Sequence, residues 1–130
     1  MKRFYIKHVP KEQRFSPMSL SVHKADTGFY EMKAKYTPPF PKEIPTKGFP
    51  VLFVETNYFV FQFSSRYELK RCIEVLSQKH LPSLHEEMDS IRNQHWLNRL
   101  PASVKAWNHR EKIVKYLEEV LEQVEKENIL

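Results

Sequence analysis

The chain has 130 residues, a net charge of +5 and a single cysteine. Its length is typical of one domain, and a hydrophobic fraction of 41% is not that of a disordered protein. One cysteine excludes an internal disulfide and a cysteine-rich zinc site. No apolar run approaches the roughly 20 residues needed to cross a bilayer, and the basic start lacks the apolar stretch of a secretory signal. We therefore expect a soluble, cytoplasmic protein without a membrane partner.

The charged residues form four blocks along the chain. Residues 1–50 contain ten Lys and Arg against four acidic residues, and residues 92–115 contain six against one. Acidic residues predominate in the other two blocks, 51–91 and 116–130. This alternation favours separate charged surfaces with separate partners, although ordinary solubilising charge produces the same counts.

The first half of the chain carries the patterns of β-strands. Apolar and charged residues alternate through residues 28–36, as in a strand with one face on a core and one in water. Residues 51–63 are rich in β-branched and aromatic residues and predict a hairpin, in which Asn57 supplies the positive φ of a tight turn. Two shorter strands are predicted at residues 3–7 and 18–23.

The segment 37–50 contains five of the nine prolines. Proline cannot donate to a strand ladder, so this segment predicts a stiff, extended connection. A docking segment for a partner is the alternative interpretation.

The second half of the chain carries the patterns of helices. Ser65 and Glu68 form a capping box, followed by an apolar face at helical spacing that ends near Lys79. A second box at residues 83–86 predicts another helix after Pro82. A third helix is predicted from Asn108, with the longest amphipathic stripe in the chain, through Val124.

Strands followed by helices predict an α+β domain. We expect one domain over residues 1–130, strand-rich in 1–63 and helical in 65–127. The predicted architecture is an N-terminal antiparallel sheet of about four to five strands, covered on one face by about three C-terminal helices.

Catalytic patterns in the sequence are sparse. Cys72 lies on the apolar face of the first predicted helix, where burial makes a thiol inert. The stretch 85–89 resembles the His-Glu-x-x-His metal pattern but has Asp89 in place of the second histidine. We therefore expect no metal site and no cofactor. A metal-dependent nuclease built on Asp26, Glu31 and Lys33 is an alternative, because Glu-x-Lys on a strand presents both side chains to one face.

The most informative cluster is the basic block 92–115. Its Arg and Lys residues can neutralise phosphates, and its tryptophans can stack on unpaired bases. Cations at the start of a helix are unfavourable, which suggests an anionic ligand. The candidate nucleic-acid-binding residues are Arg92, Trp96, Arg99, Lys105, Trp107, Arg110 and Lys112. Packing of both tryptophans around Pro101 is the structural alternative.

These patterns favour a small non-enzymatic module of bacterial or phage type that binds nucleic acid through the basic block. A protein-binding adaptor or inhibitor is the first alternative, because Arg and Trp are also enriched at protein–protein hot spots. The last helix could also form a homodimer through residues 109–127 as an antiparallel coiled coil.

Overall fold

A computed structural model describes residues 2–26, 35–79 and 96–130 of the chain. The strands in these ranges are β1 (Arg3–Val9), β2 (Lys24–Ala25), β3 (Tyr36–Thr37), β4 (Phe49–Glu55) and β5 (Val60–Phe63). The helices are α1 (Ser19–Val22), α2 (Arg66–Leu76), α3 (Ala102–Lys105) and α4 (Trp107–Glu127), and short 3₁₀ helices occupy Lys11–Gln13 and Trp96–Arg99.

The main sheet is antiparallel, with strand order β1-β4-β5, and β2 and β3 form a separate two-stranded ladder. The α+β class predicted from the sequence is therefore confirmed. The main sheet has three strands in the described parts of the chain, fewer than the four to five expected. Most of the predicted strand 28–36 lies outside the described residues, and its last residue, Tyr36, begins β3.

The predicted hairpin is confirmed as β4 and β5, but its turn has a different chemical basis. Asn57 is not one of the residues with positive φ. Instead, Thr56 Oγ1 donates to the carbonyl of Phe59 at 2.8 Å and accepts from the amides of Tyr58 and Phe59 at 3.2 and 3.1 Å. The threonine hydroxyl therefore closes this turn together with the Thr56 amide, which donates to the carbonyl of Phe59 at 2.9 Å.

Residues 18–23 do not form the predicted strand, because residues 19–22 form the helical turn α1. Two serine hydroxyls explain the difference. Ser16 Oγ accepts from the amide of Met18 at 3.2 Å, and Ser19 Oγ accepts from the amide of Ser16 at 2.8 Å. Such local bonds between side chains and backbone compete with a strand ladder. His23, which follows the turn, is fully buried.

The end of the proline-rich segment belongs to the sheet. β4 begins at Phe49, two residues before the predicted start, so that Pro50 lies within the strand opposite His8. Gly48 precedes it with a φ of 110°, and a Cβ at this position would lie 2.5 Å from the carbonyl oxygen of Val9. Only glycine accommodates both this φ and this close approach of the two backbones.

One face of the sheet packs against α2 and α4 to form the core. The cross-strand register places Phe4 opposite Val54 and Leu52 opposite Phe63 on this face. The main buried residues of the core are Leu52, Val54, Phe61, Phe63, Leu69, Cys72, Val75, Leu76, Ile113, Leu117, Val120 and Val124. The apolar stripe of α4 therefore packs within its own chain.

The predicted helix starts differ in outcome. Ser65 caps α2 as expected, since its Oγ accepts from the amide of Glu68. The predicted cap at Asn108 is wrong, because α4 begins at Trp107 and its N-cap residue, Ala106, makes no side-chain bond. The helix predicted after residues 83–86 lies outside the described residues. Every described helix is too short or too polar to span a membrane.

Candidate nucleic-acid interface

The side chain of Arg110, a predicted binding residue, is directed into the protein and is only 4% exposed. Its Nη1 donates to the carbonyl of Gln78 at 2.6 Å and its Nη2 to that of Lys79 at 2.7 Å. Its Nε donates to the carbonyl of Lys105 at 2.8 Å. These carbonyls lie at the C-terminal ends of α2 and α3, where a cation is favourable. This capping role explains a cation near the start of α4 without an external anion.

The two tryptophans of the basic block have different environments. Trp96 is 3% exposed and belongs to the hydrophobic core together with Leu100 and Val104. Trp107 is 36% exposed, and the Arg110 guanidinium lies 5.0 Å from its ring centroid. Trp96 therefore packs the helical corner around Pro101, whereas Trp107 presents part of its indole ring to solvent.

The other predicted binding residues differ in their access to solvent. Arg99 and Lys112 are exposed, and Lys105 is partly buried. Arg92 lies outside the described residues. The predicted residues that a ligand can reach are therefore Arg99, Lys105, Trp107 and Lys112.

A second basic and aromatic surface lies at the end of the sheet that carries the β4–β5 turn. We call it the hairpin-end surface, and it consists of Lys2, Tyr58, His109, Lys112 and Tyr116. The rings of Tyr58 and His109 stack with centroids 4.3 Å apart and an interplanar angle of 18°. The Lys2 ammonium lies 5.2 Å from the ring centroid of Tyr116. Lys112 is three residues after His109 and four before Tyr116, so all three share one side of α4.

The hairpin-end surface joins two basic blocks that are far apart in the chain. Lys2 comes from the N-terminal block and Lys112 from the block 92–115, and both are exposed. Burial and the nearby Glu119 carboxylate raise the pKa of Tyr116 above its ordinary value. The surface thus combines two cations with three rings, a composition that suits phosphates and unpaired bases. Sequence reasoning missed it because neither Tyr58 nor Lys2 carries a local motif.

A buried polar cluster surrounds Glu68, the acidic residue of the predicted capping box. Its Oε1 accepts from the Ser16 hydroxyl and from the Ser64 amide. Its Oε2 accepts from the Ser19 hydroxyl at 2.9 Å and lies 3.0 Å from Nε2 of His23. Both carboxylate oxygens are therefore fully hydrogen-bonded, as a buried carboxylate requires. The Glu68 carboxylate therefore does not accept from the Ser65 amide, as the second bond of a capping box would require. It links α2 to residues 16–23 instead.

The geometry of this cluster is structural rather than catalytic. Ser65 Oγ and Glu68 Oε2 both approach Nε2 of His23, while Nδ1 donates to the carbonyl of Pro38. In a catalytic triad the carboxylate and the nucleophile contact opposite ring nitrogens. His23 and Glu68 are also fully buried, and Ser65 is 1% exposed. The His23 and Glu68 side chains therefore have no contact with solvent.

The remaining candidates from the sequence are the thiol Cys72, the nuclease residues and the metal pattern at 85–89. Cys72 is fully buried as predicted, and burial raises the pKa of its thiol well above the ordinary value. Asp26 is exposed and accepts from the amide of Lys35 at 3.2 Å. Glu31, Lys33 and the stretch 85–89 lie outside the described residues. Within the described ranges, no three His, Cys, Asp or Glu side chains are placed to hold a metal ion.

A surface pocket of about 310 Å³ lies beside the start of α2. Its walls include Phe40, Ser65, Tyr67 and the C-terminal Leu130. Arg66 also lines it and donates to Asn128 Oδ1 and to the carbonyl of Leu130, both at 2.8 Å. These bonds hold the C-terminal residues against α2.

Comparison with known proteins assigns no family to this chain. No protein-family model, no curated protein and no solved structure matches it.

Proposed function

We propose that this protein is a small nucleic-acid-binding module whose main contacts come from the hairpin-end surface. The observation that carries the proposal is the approach of Lys2 to Tyr116, with 5.2 Å between the ammonium and the ring centroid. This contact brings a cation of the N-terminal block beside Lys112 on α4. Two exposed lysines on one surface neutralise neighbouring phosphates more effectively than the same charges on opposite sides of the domain.

The aromatic groups of the surface support the same ligand. Tyr58 and His109 form a stacked pair, and both are only partly buried. Rings of this kind stack on bases, while the lysines contact the backbone phosphates. Arg99, Lys105 and Trp107 extend the proposed contact region along the chain segment that leads into α4.

The proposal predicts affinity for nucleic acid that falls steeply with salt concentration. Binding of a labelled oligonucleotide, measured by fluorescence anisotropy over a series of salt concentrations, gives the slope of log Kd against log salt. Lys112→Gln and Lys2→Gln should each weaken binding and reduce the slope by about 1, because each removes one phosphate contact.

A matched control is Lys47→Gln, which removes the same charge from an exposed position in the 44–48 turn. This variant should retain the wild-type slope. If wild-type protein binds neither single-stranded nor duplex nucleic acid at low salt, the proposal is wrong, and the protein-binding adaptor becomes the better hypothesis. Equal loss of binding in the control and in Lys112→Gln would also contradict it, because the contacts would then not be localised.

A further inference from the structure

The sheet face turned away from the helices carries a second cluster of rings and cations. Tyr5 on β1 and Phe53 on β4 are cross-strand partners, and their rings stack with centroids 5.6 Å apart and an interplanar angle of 11°. The Lys7 ammonium lies 5.7 Å from the Tyr5 centroid and 5.4 Å from the Phe53 centroid. The Arg3 guanidinium lies 5.1 Å from the Tyr5 centroid. We call these four residues the open-face cluster.

The accessibility of this cluster is consistent with ligand contact. Arg3 and Lys7 are exposed, and the two rings are only partly buried. The packed core lies on the other face of the sheet, which receives Phe4 and Ile6 from β1. Alternation along the strand therefore separates residues that support the fold from residues that meet solvent.

Glu55 orients Arg3 and offsets its charge, so the Lys7 ammonium supplies the net positive charge of the cluster. Its carboxylate accepts from Arg3 Nε and Nη2, both at 3.0 Å, and these bonds hold the pKa of Glu55 below its ordinary value. A hydrogen bond to the same carboxylate raises the pKa of Tyr5, which fixes the phenol as a donor. Glu55 uses two of the five N–H donors of Arg3, whose side chain is 62% exposed. Both Arg3 and Lys7 are exposed, so the remaining donors of Arg3 and the Lys7 ammonium are accessible to a ligand.

We propose that the open-face cluster binds a single-stranded segment of nucleic acid, with bases against Tyr5 and Phe53 and phosphates beside Arg3 and Lys7. This inference rests on the proposed function and specifies its ligand. In a duplex, neighbouring base pairs cover the flat faces of each base, whereas an unpaired strand exposes them for stacking on protein rings. Two rings flanked by the Lys7 ammonium and the remaining N–H donors of Arg3 match the alternation of bases and phosphates along one strand.

The open-face cluster and the hairpin-end surface meet at the start of β1. Lys2 contacts Tyr116 on the helix side of the sheet, and the next residue, Arg3, belongs to the open face. One strand that passes over this end of the sheet can contact both surfaces. The two sites then act as one extended path, in which loss of either weakens binding of the same ligand.

The test compares a labelled oligothymidylate with a hairpin duplex of the same nucleotide count, both measured by fluorescence anisotropy. Wild-type protein should prefer the oligothymidylate. Phe53→Ala and Tyr5→Leu should each weaken its binding by about tenfold, the effect of losing one stacked base, and leave the weaker duplex binding unchanged. Lys7→Gln removes a cation of the same cluster without altering a ring and should also weaken oligothymidylate binding. It replaces Phe53→Ala in the test if that variant fails to fold.

The matched control is Tyr67→Ala. Tyr67 is 40% exposed on α2, and the ammonium of Lys70 lies 6.0 Å from its centroid, so it reproduces a ring with a nearby cation outside the cluster. This variant should bind oligothymidylate as the wild type does. If folded Tyr5→Leu and Lys7→Gln both retain wild-type affinity while Lys112→Gln loses it, the open-face cluster is not a binding site and the proposed function stands. If the wild type binds neither probe, the proposed function itself fails.

Discussion

Nε2 of His23 lies 3.0 Å from Oε2 of Glu68 although 45 residues separate them in the chain. Both side chains are fully buried, and the pair connects the turn after α1 to the first turn of α2. The ring of His23 also stacks on Phe40 with centroids 3.9 Å apart. This cluster therefore links residues 16–23 and 38–40 to α2.

Glu68→Ala should lower the free energy of unfolding by about 3–5 kcal/mol, because it leaves His23 and two serine hydroxyls buried without their acceptor. Urea unfolding followed by circular dichroism measures the change. Glu74→Ala is the control on the same helix. Glu74 is exposed and pairs with Arg71 at the surface, so its loss should change stability by less than about 1 kcal/mol. Equal effects of the two substitutions would contradict a structural role for the cluster.

Arg110→Met should lower the free energy of unfolding by about 3 kcal/mol, because the backbone carbonyls bonded to its guanidinium lose a charged donor. Arg110→Lys should recover only part of this loss, since one ammonium cannot reproduce the fork that spans Gln78 and Lys79. Folded Arg110→Met should retain the wild-type affinity for oligothymidylate. A stable variant with weakened binding would instead assign Arg110 to the interface.

Gly48→Ala should destabilise the protein by about 1–3 kcal/mol. The φ of 110° is unfavourable for a residue with a Cβ, and the new methyl group would lie 2.5 Å from the carbonyl oxygen of Val9. Thermal unfolding measures the effect. Lys47→Ala, at the neighbouring exposed position, should change stability by less than about 0.5 kcal/mol. A neutral Gly48→Ala would show that the backbone approach between this turn and β1 is not required.

Cys72 should not react with a thiol reagent in the native protein at mildly alkaline pH. Burial raises the pKa of the thiol above its ordinary value of 9.0, so the reactive thiolate is absent from the folded state. As pH rises above that ordinary value, the unfolded thiol ionises and the folded one does not, so this group's contribution favours unfolding. The rate of modification in urea should follow the unfolding transition. Rapid reaction in native buffer would contradict the buried position.

Local sequence patterns were sufficient to predict several elements of the fold. β-Branched and aromatic residues predicted the β4–β5 hairpin, a short strand was predicted at residues 3–7 within β1, and the Ser65 cap with its apolar periodicity predicted α2. These elements can be predicted because the side-chain periods of strands and helices are visible among residues that are close in the chain. The turn 19–22 escaped them, because its serine hydrogen bonds have no periodicity.

The candidate site was less predictable. Sequence composition indicated a basic and aromatic region at 92–115 as the candidate site but could not separate its buried residues from its exposed ones. Trp96 is the same residue type as Trp107, and Arg110 is a cation like Lys112, yet Trp96 and Arg110 lie inside the protein. The difference depends on where the C-terminal ends of α2 and α3 lie relative to α4, which no local pattern specifies.

The four charge blocks were visible in the sequence from the start, and so were the α+β class and the apolar stripe of α4. Only the tertiary structure decided which charges share a surface. Lys2 reaches Tyr116 because β1 pairs with β4 and α4 packs across the same sheet. Tyr5 reaches Phe53 through the same strand pairing. Composition and periodicity describe each residue and its neighbours in the chain, whereas strand register and helix packing determine which distant residues meet.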